Sequence, residues 1–319
     1  MHFHRFWYNI RQMTDDYELL DSGDGRKLER FGKYVLARPC SQAMWRPCTS
    51  GAEWERADAS FDREDGNRWH GRSNLPKDWQ IETAGIKFKL GGTDFGHLGI
   101  FPEQRAQWKW IREKVVVGSR SRTVEVKNST VGLGLPTSTK MSVLNLFAYS
   151  GGSTMAAALG GAEVCHLDAS KGMVEWAREN ARLNGLQDHP IRWIVDDAHK
   201  FMKREIRRGR KYDAIILDPP TFGRGAGGEM YKIERDLKET LGLVRDLLSE
   251  TPSFVLFSSH TPGLSQIVAE NILGQLFPSA SLESGEMLLE PARSNTQTLK
   301  HSNTFSCPSG IYCRAVFDK

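Results

Sequence analysis

The chain has 319 residues, 39% of them hydrophobic and 26% charged, which is the composition of an ordinary globular protein long enough to carry two domains. No apolar run approaches the ~18 residues of a membrane helix, so no membrane partner is expected. The 43 basic and 39 acidic residues leave a net charge of +4 and a pI near 8.7, which suits an anionic partner such as RNA without demanding one.

The first residues, MHFHRFWYNIRQM, hold two Arg and no acid. They lack the unbroken apolar core of a secretion signal, and they are too short and too poor in Ser to make more than a weak case for an organellar presequence. The five cysteines, Cys40, Cys48, Cys165, Cys307 and Cys313, are scattered and contain no C-x-x-C pair. Neither a zinc knuckle nor a disulfide framework is expected, and a reducing cytoplasm fits best.

Seven of the nine Trp lie before residue 140: Trp7, Trp45, Trp54, Trp69, Trp79, Trp108 and Trp110. Strand-like pieces such as Gly32–Leu36 and Gly85–Leu90 alternate with turn-rich stretches, Asp21-Ser-Gly-Asp-Gly and Arg63-Glu-Asp-Gly-Asn among them. Residues 1–80 therefore read as a small β-rich module. Residues 81–135 read as a β-hairpin and a basic connecting segment, with a strand at Thr123–Val126 and a linker ending at Pro136.

Residues 136–319 read as an α/β domain. Apolar strands are predicted at Ser142–Phe147, Glu163–Asp168, Ile191–Val195, Tyr212–Leu217 and Phe254–Ser258. Helices are predicted at Ser153–Leu159, Lys171–Asn184, about Glu229–Ser249 and about Leu264–Leu276. Ser170 is a natural N-cap for the second of these and Gly185 its natural stop. Leu237, Leu241, Val244 and Leu248 recur at helical spacing in the third. Such alternation implies a doubly wound, mostly parallel sheet with helices on both faces.

A doubly wound sheet binds ligands beyond the carboxyl ends of its strands. The turn Tyr149-Ser-Gly-Gly-Ser follows the first strand, where Gly151 and Gly152 permit unusual dihedrals and a close backbone approach. Asp168 ends the second strand and can accept from a ribose diol. A dinucleotide site and an adenosine site share both features, and both features also serve a plain tight turn and a helix cap. Asp196 or Asp197, ending the third strand, is placed to accept from an adenine amino group. Asp218-Pro219-Pro220 ends the fourth strand as a stiff loop carrying a polar group, which a dehydrogenase has no need of.

The stretches VLNLFAYSGGSTMAAALGGAEVCHLDASKGMVEWARENARLNGL, IVDDAHKFM and DAIILDPPTFGRG resemble the class I S-adenosylmethionine-dependent methyltransferases. Within that class they resemble the bacterial group that modifies cytosine C5 or guanine N7 in large-subunit ribosomal RNA. GTDFGHLGIFPEQRAQWKWI resembles that group's β-hairpin segment. The resemblance implies a seven-stranded Rossmann-like methyltransferase sheet with S-adenosylmethionine as cofactor and no metal. Phe147, Ala148, Tyr149, Ser150, Gly151 and Gly152 would contact the methionine part of the cofactor. Asp168, with Ala169 and Ser170, would hold the ribose, and Asp197 and Ala198 the adenine. Gln104 and Arg105 would lie near the cofactor, and Asp218, Pro219 and Pro220 on the substrate side. Thr221 stands where the group often has Lys, and FSSHTPG (257–263) stands where cytosine-C5 enzymes typically have a nucleophilic Cys.

The expected reaction is therefore direct methyl transfer to a nitrogen of RNA, ribosomal RNA favoured. A ring nitrogen needs no base; an exocyclic amine could use Asp218, with His260 and His97 as candidate proton acceptors that read more readily as a polar loop residue and a turn residue. The loop Gly223–Gly228 reads as a mobile lid or a plain connection. RNA contact is expected from the basic segment 104–127, with Trp108 and Trp110 stacking on bases, and from KREIRRGRK (203–211). Each also reads as a solvated or packed face. The alternatives are a protein or small-molecule methyltransferase, an NAD-linked oxidoreductase, and a non-catalytic RNA-binding scaffold.

Overall fold

The computed structural model describes residues 15–64, 66–121, 140–225, 228, 230–291 and 304–317. The expected strand at Thr123–Val126, the linker ending at Pro136 and the N-terminal basic stretch lie outside these. The chain forms two compact units: Met1–Ala106 with Met287–Ser309, and Gln107–Glu286 with Gly310–Lys319.

The first unit is built from β1 (Tyr17–Gly23), β2 (Arg26–Phe31), β3 (Tyr34–Pro39), β4 (Ala59–Asp62) and β5 (Arg68–His70), paired in that order in one sheet. A hairpin of β6 (Trp79–Thr83) and β7 (Ile86–Leu90) accompanies it. Asp24 and Gly25, both at positive φ, make the tight β1–β2 turn. Asp21, expected in that turn, is instead buried in β1, where it accepts hydrogen bonds from the Thr49 amide (2.9 Å) and hydroxyl (2.6 Å) and the Trp54 indole (3.1 Å). Tyr17, Phe31 and Trp79 pack edge to face, with centroids 5.1 and 6.0 Å apart.

A second sheet, which lies in the second unit except for the Met287–Leu289 and Cys307–Ser309 ends of its last two strands, holds β8 (Ser142–Leu146), β9 (Glu163–Asp168), β10 (Ile191–Val195), β11 (Ala214–Leu217), β14 (Phe254–Ser259), β15 (Ser281–Leu289) and β16 (Cys307–Val316). Their order is β10-β9-β8-β11-β14-β16-β15. The first five are parallel, and β16 runs antiparallel to β14. β11 and β14 are buried throughout and β8 nearly so, as strands covered on both faces must be. The strand order reverses between β8 and β11, and there the crevice of a doubly wound sheet opens.

Helices Gly152–Leu159, Lys171–Leu183, Ala198–Arg207, Ile233–Leu247 and Gln266–Leu276 connect the strands. Ser170 caps the second, its hydroxyl accepting from the Met173 amide. Leu237, Leu241, Val244 and Leu247 are buried on the core side of the fourth. That helix starts at Ile233, later than the periodicity suggests. Met230–Lys232 is β13, paired antiparallel with β12 (Phe222–Arg224). Gly223 and Arg224 thus belong to a ribbon; Ala226 and Gly227 lie outside the described residues.

The basic segment after Gln104 folds as the helix Arg105–Ser121. Trp108, Ile111 and Val115 are buried along one face of it. Trp110 packs on Phe254 at 4.9 Å beneath the Arg314 guanidinium. Both Trp are therefore packing residues, and the expectation that they stack on bases is corrected. Three of the six cations in the run 203–211 pair with acids. Lys203 pairs with Glu239 (2.6 Å), Arg204 with Asp196, Arg208 with Glu205 (3.2 Å), and Lys211 donates to the Asp246 carbonyl (2.7 Å). It leads into the amino end of β11, at the opposite edge of the sheet from Asp218. Among the described residues no helix is long and apolar enough to cross a membrane.

Candidate active site

The turn after β8 is held in an uncommon backbone. Phe147 (φ 54°), Tyr149 (φ 50°) and Gly151 (φ 89°) are left-handed, while Ala148 and Ser150 between them are not. Two non-glycine residues in that region are costly and persist only where the surroundings enforce them. The enforcing contacts are explicit. The Ala148 amide donates to the Leu167 carbonyl (3.0 Å), the Tyr149 amide to the Asp168 carboxylate (2.9 Å), and Asn180 Nδ2 to the Ser150 carbonyl (2.9 Å). The alternating sign of φ gives the turn a nest-like backbone, in which the Ala148, Tyr149 and Gly151 amides are taken by Leu167, Asp168 and Ala148 acceptors.

The two glycines have separate duties. Gly151 supplies a positive φ, and a Cβ there would lie 3.1 Å from that of Ala177. A Cβ at Gly152 would lie 2.6 Å from Cζ2 of Trp108, so its missing side chain makes room for an indole rather than for a ligand. Gly160, at the other end of the same helix, similarly faces Val115 at 2.9 Å.

Asp168 is half-buried at the end of β9. Burial pushes its carboxyl above the usual aspartate range, against the pull of the Ser170 and Tyr149 amides. Each oxygen accepts one of these amides, Oδ1 from Ser170 at 2.8 Å and Oδ2 from Tyr149 at 2.9 Å. One lone pair per oxygen remains, which matches the two hydroxyls of a ribose. At the end of β10, Asp197 caps the helix Ala198–Arg207 by accepting from the Lys200 amide (2.9 Å). Asp196 pairs with Arg204, which leaves Asp197 the acid with one uncommitted oxygen here. The nest-like turn, Asp168 and Asp197 thus follow three adjacent strands at one edge of the sheet.

Beside this row stands a second cluster. Asp218 follows β11 and His260 follows β14, with Nδ1 of the imidazole 3.4 Å from Oδ1 of the carboxylate. Thr221 and Thr261 share a hydroxyl–hydroxyl hydrogen bond of 2.8 Å, so the Asp218–Thr221 loop is tied to the end of β14 twice. Pro219 and Pro220 stiffen the intervening backbone. Phe222, 54% exposed, projects from the ribbon that follows. Tyr231 on the partner strand sits against Phe147 at 5.3 Å, joining ribbon and nest. Sequence reasoning missed the ribbon, although Phe222-Gly-Arg and Met230-Tyr-Lys flanking a Gly-rich stretch carry a hairpin pattern.

Three expected participants, Gln104, Arg105 and His97, belong to the N-terminal unit. Arg105 lies over the Tyr17 ring (4.7 Å) and pairs with Asp15 (2.9 Å). His97 packs against Phe101 at 5.3 Å.

The strand order with its reversal, the nest and the row of acids are features of adenosyl-binding sheets, and comparison with known proteins agrees. A solved S-adenosylmethionine-dependent methyltransferase from Agrobacterium tumefaciens is 33% identical, with a TM-score of 0.82 over 96% of this chain and 91% of that one. The chain belongs to the S-adenosylmethionine-dependent methyltransferases. A family model for these enzymes matches residues 133–255. Ribosomal RNA large subunit methyltransferase K/L of Shewanella frigidimarina is 32% identical over 203 residues, 60% of this chain and 24% of that protein. Ribosomal RNA large subunit methyltransferase I of Aeromonas salmonicida is 32% identical over 177 residues, 54% and 42% of the two. The chain thus spans less than half the length of these curated relatives. The cofactor of this family is S-adenosylmethionine, whose sulfonium supplies an electrophilic methyl when bound. The expected family fold, a seven-stranded Rossmann-like sheet with a β-rich N-terminal unit, is the one observed.

Proposed function

We propose that this methyltransferase transfers a methyl group to a nitrogen of RNA, with ribosomal RNA the favoured acceptor, by direct displacement without a cysteine nucleophile. The observation that carries this reading is the Asp218–His260 pair at 3.4 Å, at the strand edge beside the cofactor row and flanked by the exposed ring of Phe222. In this reading the nest Phe147–Gly152 holds the amino-acid end of the cofactor and Asp168, with Ala169 and Ser170, its ribose. Asp197 and Ala198 meet the adenine. Gln104 and Arg105 remain family expectations for the same ligand.

On the acceptor side, Phe222 offers an apolar face on which a base can stack. Asp218 accepts a hydrogen bond from the base edge and so orients the attacking nitrogen. For a ring nitrogen, the new N–CH₃ bond forms from its lone pair as the carbon–sulfur bond breaks, and no proton moves. For an exocyclic amine one proton is lost, and the Asp218–His260 pair is the group placed to take it.

A covalent pyrimidine mechanism has no thiol at this edge among the described residues. Ser258, Ser259 and His260 close β14, while Cys165 and Cys313 are buried in strands. Burial pushes those two thiols up to about 11 and about 12, the reverse of what a nucleophile needs. RNA as the acceptor also draws on the named activity of the two ribosomal relatives and on Lys109, Arg112 and Lys114 along the helix Arg105–Ser121. A cytoplasmic location is part of the same proposal.

Incubation with methyl-labelled cofactor and total RNA, in parallel with total protein, tests the reading. Label is expected in RNA, and mass mapping of ribosomal RNA from cells with and without the gene should show one methylated nitrogen missing in the latter. Label confined to protein, with an unchanged RNA map, overturns it.

A further inference from the structure

Cys40 and Cys307 are separated by 267 positions in sequence, and the fold brings their sulfurs to 2.8 Å. Both belong to the N-terminal unit. Cys40 follows β3 and is anchored there by its own amide, which donates to the Gly25 carbonyl at 2.7 Å. Cys307 opens β16 and is fully buried, whereas Cys40 is partly buried. Of the two residues, Cys40 is thus the one that reaches the surface.

We propose that Cys40 and Cys307 form a reversible thiol–disulfide site, with Cys40 the attacking and Cys307 the resolving thiol, and a hydroperoxide as the oxidant. The chemistry balances in two steps. The Cys40 thiolate attacks one oxygen of the peroxide, the O–O bond breaks, and sulfenic acid forms at Cys40 with release of hydroxide or alkoxide. The Cys307 sulfur then displaces hydroxyl from that sulfenic acid, the S–S bond forms, and water leaves with the Cys307 proton. The peroxide is reduced by two electrons and the thiol pair is oxidised by two. Bond formation requires the sulfurs to close from 2.8 Å to about 2.05 Å, a shift that rotation about the side chains can supply.

Three features select this pair over the other thiols. The hydrogen bond from Cys307, and then the Lys27 ammonium, draw the Cys40 thiol down to about 7 against the opposing effect of burial. A substantial thiolate fraction at neutral pH follows. The Lys27 ammonium itself pairs with the buried Glu29 carboxylate at 3.3 Å and is therefore held in place. Cys165 and Cys313 are buried, and burial pushes both in the opposite direction. Cys48 is half-exposed, but burial and the neighbouring Asp21 carboxylate raise it.

The cross-link would close a loop running from the end of β3 to the start of β16, enclosing every strand of the methyltransferase sheet except β16. Closing so long a loop restricts the unfolded chain, so the oxidised protein should melt at a higher temperature than the reduced one.

The test uses the full-length reduced protein. In the first arm, brief alkylation at pH 7 should label Cys40 at least tenfold faster than Cys165 or Cys313. In the second, stoichiometric hydrogen peroxide followed by alkylation and non-reducing digestion should yield a peptide pair joined through Cys40 and Cys307. Dithiothreitol should reverse it. The melting temperature should rise by several degrees on oxidation, and this rise should be absent in Cys307→Ser, whose Cys40 should instead stop at the sulfenic or sulfinic acid. Both wild-type readings stand even if that variant folds poorly. Oxidation that leaves Cys40 and Cys307 unlinked, or that joins other cysteines equally well, overturns the proposal.

Discussion

The indole of Trp108 occupies the space that any side chain at residue 152 would need, since a Cβ there would lie only 2.6 Å from Cζ2. The second glycine of the turn after β8 is therefore fixed by packing against the helix Arg105–Ser121. Gly152→Ala is expected to destabilise the protein by about 1–3 kcal/mol, the usual cost of overpacking. Trp108→Ala also destabilises, but Gly152→Ala should cost much less in that background. A denaturant-unfolding double-mutant cycle reads the coupling, and additive effects would show that the indole does not impose the glycine.

Asp168 carries the second prediction. Asp168→Ala should weaken binding of S-adenosylhomocysteine by at least tenfold in calorimetry, since it removes the acceptor for both ribose hydroxyls and also frees the Tyr149 amide. The pH dependence has a definite sign. Burial raises the Asp168 carboxyl, and the ionised form is the one that accepts from a diol. Affinity should therefore be full at neutral pH and fall as the pH is lowered, beginning above the pH at which an ordinary aspartate protonates. Asp168→Asn should flatten that part of the profile. Tight binding by Asp168→Ala would remove the residue from the site.

Asp218 and His260 should separate chemistry from cofactor binding. Asp218→Ala is expected to lower kcat by about 10²-fold, as the loss of a single orienting hydrogen-bond partner does, while cofactor affinity stays within about threefold. His260→Ala should have the smaller effect, because its ring acts through the carboxylate 3.4 Å away. Single-turnover methyl transfer gives both numbers. Wild-type rates in Asp218→Ala would refute the proposed role of the pair.

Phe222 tests the acceptor. If a base stacks on its exposed ring, Phe222→Ala should raise KM for RNA by roughly 10-fold, corresponding to ~1–3 kcal/mol of stacking, with cofactor affinity unchanged. Phe222→Trp should restore it. Equal KM in all three proteins would rule out stacking at this position.

The cysteines of the catalytic unit provide the last prediction. Cys165→Ala and Cys313→Ala should retain methyl transfer after correction for folded fraction, and 5-fluoropyrimidine RNA should trap no covalent adduct. An adduct at either sulfur would restore the covalent mechanism.

A fully buried acid illustrates what local sequence cannot announce. Glu205 lies within the run KREIRRGRK and looks like one more surface charge. Burial raises its carboxyl, but hydrogen bonds from Arg192 (2.8 Å), Tyr212 (2.8 Å) and Arg208 (3.2 Å) more than offset this and hold it below its usual range. It thereby joins a helix to the strands on either side, using a partner drawn from another strand. The basic run was legible in the sequence, but the pairing of its cations with acids was not.

The amino-acid sequence by itself determined the alternating strands and helices, the Ser170 cap, the acids Asp168, Asp197 and Asp218 at the strand ends, and hence the family. These are local signals: apolar periods, capping side chains and turn residues act over a few positions, so they can be read in order along the chain. Tertiary structure alone decided which contacts those residues make. It set Trp108 against Gly152, Asp218 beside His260, Cys40 against Cys307, and the Phe222 ribbon next to the nest. Each of these pairs joins different elements, or opposite ends of a fold, and their meeting depends on strand order and helix packing, which no local pattern encodes.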